Sequence, residues 1–66
     1  MKFRIKEIRE SQGMTQTELS EKSGITRTTI WKLETGAEEV TTSRTLASIA
    51  RALNVPIGEL FLSSEV

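Results

Sequence analysis

The sequence predicts an all-α fold of five short helices in a single domain spanning residues 1–66, and three observations carry that prediction. Apolar residues recur at helical spacing in each segment: Ile5 and Ile8, Leu19, Ile30 and Leu33, then Leu46, Ile49, Ala50 and Leu53. Helix breakers fall between these segments, at Gly13, Gly24, Gly36 and Asn54. Capping residues stand where new helices must begin, most clearly at Thr15 and Thr26. Sixty-six residues allow only a small core, close to the lower limit for a domain that folds alone.

The first helix is placed from about Arg4 to Gln12, with Ile5 and Ile8 as its apolar stripe and Gly13 as its stop. Thr15 and Glu18 then form a capping box, a threonine and a glutamate three residues apart that satisfy each other's free N–H groups. Leu19 faces inward, Ser20 is small enough for a second helix to cross closely, and Gly24 supplies a left-handed stop. Ile25 tucks into the core and Thr26 caps the third helix, which ends at Gly36. Two short helices over 15–36, joined by a tight break, make a helix-turn-helix. The fourth helix runs from about Ser43 to Leu53, with Asn54 as a left-handed cap. The fifth starts at Pro56 and ends near Phe61, with Leu60 and Phe61 closing the core. The tail FLSSEV is given a short strand contact with the N-terminal MKF.

The third helix has two faces. At about 100° per residue, Ile30 and Leu33 lie on the buried side, while Thr28, Trp31, Lys32 and Thr35 lie opposite, with Arg27 on the flank. A helix start carries partial positive charge and favours Asp or Glu. This one carries an arginine and threonines and no acid, so it suits an external anion such as a phosphate. Arg27, Thr28 and Lys32 are the expected base readers, since Arg and Lys suit guanine and Thr suits the thymine methyl. Thr42, Ser43 and Arg44 offer further hydroxyls, first-turn amides and a cation of the kind that meets phosphate, alongside their role in starting the fourth helix.

These residues resemble the phage repressor/Cro-type helix-turn-helix family, the lambda-repressor-like or XRE-type DNA-binding domains. The resemblance covers nearly the whole chain, through IKEIRESQGMTQTELSEKSGITRTTIWKLETG and TLASIARALNVPIGELF. Gln16, Leu19, Ser20, Gly24, Ile25, Ile30, Leu33 and the ending Leu33-Glu34-x-Gly36 all stand at the family's spacing. By resemblance, Gln16 contacts a phosphate and braces the recognition helix, with Thr15 and Thr26 among the phosphate contacts. The family also pairs an arginine and a glutamate at the positions of Arg9 and Glu34. The residues agree: Arg9 adjoins the stripe of the first helix, and Glu34 lies a short turn from the buried face of the third.

Two positions depart from the family. Trp31 stands where a small residue is usual, and two readings stay open: the indole against a sugar or thymine methyl in the major groove, or packed under the loop 37–42. That loop carries Glu38-Glu39 where basic residues are usual, so it is expected to turn away from phosphate. Apolar residues beyond the needs of a small core cluster in VPIGELFL, which marks Val55, Ile57, Leu60 and Leu62 as a dimerisation segment within 55–62.

Nine Lys+Arg balance nine acids, unlike the usual basic nucleic-acid module. The charges are unevenly spread, +2 over residues 1–36 and −2 over residues 37–66. With neither cysteine nor histidine, disulfides, thiol chemistry and ordinary zinc sites are excluded, and no cofactor, metal or small-molecule ligand is expected. There is no signal-peptide core and no apolar run near the ~20 residues of a membrane span, so a cytoplasmic protein without catalytic residues is expected. The expected function is a sequence-specific double-stranded DNA-binding regulator, a repressor acting as a homodimer on a palindromic operator. The alternative is a protein-interaction module or antitoxin-like partner-binding protein on the same fold, which the zero net charge favours and the outward set Gln16, Thr26, Arg27, Thr28 and Lys32 opposes.

Overall fold

The computed structural model describes residues 3–38 and 41–61. Within them the chain forms four α-helices, α1 (Ile5–Ser11), α2 (Gln16–Ser23), α3 (Arg27–Thr35) and α4 (Ser43–Leu53), followed by one 3-10 turn, Ile57–Leu60. α2 packs against both α3 and α4, and α1 rests on α3 and α4.

Local chemistry sets the helix boundaries. Thr15 Oγ1 accepts from the Glu18 N–H at 3.0 Å, and Glu18 Oε1 accepts from the Thr15 N–H at 2.9 Å, completing the capping box. Gly24 (φ 75°) and Gly36 (φ 85°) end α2 and α3 in the left-handed region, where a side chain would be strained. Asn54 does the same for α4 at φ 60°, and the Val55 N–H closes the end by donating to the Ala50 carbonyl. Thr26 and Thr42 cap α3 and α4 alike, each hydroxyl oxygen accepting from the N–H three residues on.

The core comprises Phe3, Ile5, Ile8, Leu19, Ile30, Leu33, Leu46, Ile49, Ala50, Leu53 and Leu60, with Met14, Ile25, Ala52 and Val55 packed at its edge. Each helix contributes its expected stripe. Gln12 ties the far ends of α1 and α4 together, its Nε2 donating to the Leu53 carbonyl at 2.8 Å.

The structure corrects the sequence expectations at the C-terminal end and at two core positions. The fifth α-helix is instead a single 3-10 turn, and Pro56 stands before it in extended conformation (φ −64°, ψ 148°) rather than in its first helical position. The turn ends on Leu60, which faces inward, and Phe61 follows in extended conformation (φ −92°, ψ 142°), where successive side chains point to opposite sides. Phe61 is 44% exposed, not buried. Its ring lies 5.6 Å from that of Phe3, which takes the core place that Phe61 was expected to fill. Ile25 is half-buried at the core's edge rather than inside it. The expected contact between the chain ends is present as one antiparallel bridge, Phe3 with Phe61, beside an Arg4 N–H to Leu60 O hydrogen bond of 2.7 Å. The rest of the FLSSEV tail lies outside the described residues, as do Glu39 of the loop and Leu62 of the expected dimer segment.

Candidate nucleic-acid interface

The outward face of α3 is held in place by one buried carboxylate. Glu34, on the inner side of α3, is 3% exposed. Its Oε2 accepts from Arg9 Nε at 2.7 Å and its Oε1 from Arg9 Nη2 at 3.1 Å, a two-pronged contact. The same Oε1 accepts from Gln16 Nε2 at 2.9 Å. Arg9 is also buried, and its Nη1 donates to the Met14 carbonyl at 2.7 Å. Glu34 thus joins α1, the α1–α2 turn and the start of α2 to α3. Its hydrogen bonds raise the Arg9 pKa above the usual arginine value against the opposing pull of burial, so the guanidinium stays charged.

From this anchor the exposed residues of α3 fan outward. Ile30 and Leu33 are fully buried, while Arg27, Thr28, Trp31, Lys32 and Thr35 are exposed. Residues 27, 28 and 31 share a face because positions three and four apart are helix neighbours. With Gln16 from α2 they line an open cleft of about 350 Å³. Thus one face collects four of the residues singled out in the sequence, Gln16, Arg27, Thr28 and Trp31, and Lys32 adjoins it on α3. The α3 first turn holds no acid, and neither does that of α4.

The hydrogen-bond capacity left on these groups is that of a donor surface. Gln16 Nε2 carries two hydrogens, and the bond to Glu34 occupies one. The Thr15 oxygen accepts from a backbone N–H, which leaves its hydroxyl proton uncommitted. Thr26 and Thr29 are 3.0 Å apart through their hydroxyl oxygens, as are Thr42 and Thr45, so one hydroxyl proton bridges each pair and one remains. Ser43 and Arg44 are exposed at the start of α4 but do not line the cleft.

Trp31 is 51% exposed and sits in the cleft among residues of α2 and α3. The second reading, an indole packed under the loop 37–42, involves Glu39 and Val40, which lie outside the described residues. Glu38 in that loop is exposed. Leu60 is fully buried and cannot serve a dimer surface, while Val55 is half-buried. The apolar surface at this end is instead Ile57, 39% exposed, with Phe61, which sequence reading placed inside. No group of three or more potential metal-ligating side chains occurs among the described residues. No helix among them is long and apolar enough to cross a membrane.

A helix-turn-helix family model matches residues 5–60 of the chain. The chain is also 44% identical over 62 residues to a protein of Archaeoglobus fulgidus named as an uncharacterized HTH-type transcriptional regulator, a match covering 94% of this chain and 87% of the relative.

Proposed function

The chain belongs to the phage repressor/Cro-type helix-turn-helix family of transcriptional regulators, and on that premise we propose that it binds double-stranded DNA sequence-specifically and acts as a repressor, a homodimer on a two-fold operator. The observation that carries this reading is the division of α3. Its inner face is spent on Ile30, Leu33 and Glu34, and its outer face presents Arg27, Thr28, Trp31 and Lys32 with no acid in the first turn. Nothing in folding requires cations and hydroxyls on that face.

In the mechanism, α3 enters the major groove with its N-terminal residues at the base edges. Arg27 and Lys32 donate to guanine O6 and N7, and Thr28 meets a base edge or a methyl. Thr15, Gln16, Thr26, Thr42, Ser43 and Arg44 hold phosphates and so fix register without reading sequence. Occupancy of the operator blocks polymerase sterically. Selection of bound sequences from random duplexes tests this, with affinity then followed across salt concentration. Arg27→Ala is expected to cost about 1–3 kcal/mol of binding and to relax the preference at one base pair. An equal loss on every duplex would reduce Arg27 to a phosphate contact.

Dimerisation is proposed through the C-terminal end, where Ile57 and Phe61 are exposed and Val55 is half-buried. One recognition helix reads few base pairs, whereas a two-fold pair sets two helices about 34–36 Å apart, one turn of duplex. The exposed apolar side chains are few, so a weak dimer that tightens on DNA is expected. Sedimentation over a wide concentration range, with and without a palindromic duplex, measures this. Ile57→Lys should weaken both self-association and DNA affinity. A variant as tight on a palindrome as the parent would place the interface elsewhere.

The alternative, a protein-interaction module on the same fold, has the zero net charge in its favour. It predicts no sequence preference in the selection.

A further inference from the structure

Trp31 is an apolar side chain on a surface otherwise made of polar and cationic groups. The chain has three aromatic residues, and two of them, Phe3 and Phe61, lie against each other. Trp31 stands apart, half exposed, and its indole N–H has no hydrogen-bond partner among the described residues. Side chains on a helix lean toward its N-terminus. That lean agrees with the cleft, where Trp31 is grouped with Arg27 and Thr28 of the preceding turn and with Gln16. Trp31 is the middle residue of α3, and this grouping sets it beside the N-terminal turn, the part of a recognition helix that meets base edges in a major-groove complex.

We propose that Trp31 reads a thymine, its indole ring covering the 5-methyl group of that base in the major groove. The assignment rests on the DNA-binding reading above and names the base feature that this residue selects. Only thymine among the four bases offers a methyl group there, and it places an acceptor, O4, beside it. An indole offers the matching pair, an apolar body and a single N–H donor. Cytosine presents an amino donor in place of O4, which leaves the indole N–H facing another donor. A contact with deoxyribose would use the same apolar ring but would be blind to sequence.

Uracil separates these possibilities, because it keeps O4 and the pairing edge and lacks only the methyl. In the duplex recovered by selection, each thymine of one half-site is replaced in turn by uracil, and affinity is measured for the parent protein and for Trp31→Ala. Trp31 is half exposed, so Trp31→Ala is expected to keep the parent's helical circular dichroism. At one position uracil should weaken the parent about fourfold, the worth of one buried methyl-sized group. In Trp31→Ala the same replacement should change nothing. A full uracil penalty retained by Trp31→Ala overturns the proposal. So does a parent indifferent to uracil at every position, with Trp31→Ala weaker on all duplexes alike, which marks a sugar contact. A protein that selects no sequence at all overturns the DNA-binding reading itself, a different result from either.

Discussion

Glu34→Ala is expected to cost the protein a large share of its folding stability at 25 °C. The substitution removes both carboxylate oxygens that meet Arg9 and the one that meets Gln16, and it leaves the buried Arg9 guanidinium with the Met14 carbonyl as its hydrogen-bond partner and the exposed Glu10 carboxylate 3.9 Å away. Breaking a buried pair by deleting one member typically costs about 3–5 kcal/mol, because the surviving charge is left without compensation. A domain of this size holds roughly 3–10 kcal/mol in total, so the loss takes a large part of it. Urea titration followed by circular dichroism reads it directly. The pair's own contribution is separable from the cost of a stranded charge. Replacing both residues, Arg9→Met with Glu34→Leu, removes both charges together and should cost clearly less than the two single losses added. If the double variant loses as much as that sum, the two side chains do not act on each other and the anchor assigned to Glu34 is wrong.

Leu33→Ala should be the most damaging of the purely apolar truncations. Leu33 is fully buried, one position before Glu34 and opposite the exposed face of α3. Removing most of a buried leucine side chain costs about 2–5 kcal/mol, more where the surroundings cannot collapse into the space. Relaxation is restricted here, because Glu34 fixes this same stretch of α3 to α1 and α2. In a domain this small each kcal/mol moves the melting temperature by about 4–8 °C, so a fall of at least about 8 °C is expected. A loss below about 1 kcal/mol would mean that the helix slides to fill the gap. In that event Arg27 and Trp31 would also shift, and DNA affinity would change more than stability.

The helix ends were the most legible part of the sequence, because they are decided by chemistry within a few residues. Thr15 with Glu18, Gly24, Thr26, Gly36 and Asn54 each do what their local pattern implies. The two faces of α3 were legible for the same reason, since Ile30 and Leu33 define an angle from which the rest follows. The Arg9–Glu34 contact needed more, a family resemblance added to the angular position of each residue. Apart from Ile25, which reaches only the core's edge, what failed lay at the chain ends, where no repeat guides the reading. A helix of one turn has no period to measure, so Leu60 and Phe61 both looked like core, and Phe3, only two residues from the start, gave no sign that it would be buried. The bond from Gln16 to Glu34 spans eighteen residues of sequence. Two polar side chains that far apart reveal their meeting only once the helices around them are placed.

The bridge between Phe3 and Phe61 has a consequence for how the chain acquires its shape. The helices can form from neighbours in sequence, and α2 with α3 can dock across a turn of three residues. The end-to-end bridge joins residues separated by nearly the whole chain, and the entropy lost in closing a loop rises with its length. The cost falls once the four helices have already drawn the ends together. The closure is therefore a late event on the way in and an early one on the way out: the protein assembles from its middle and latches at its rim. Phe3, which reaches the core beside that latch, is the core residue expected to meet water first as the molecule breathes, while Leu60 is also held by the packing of its turn on α4.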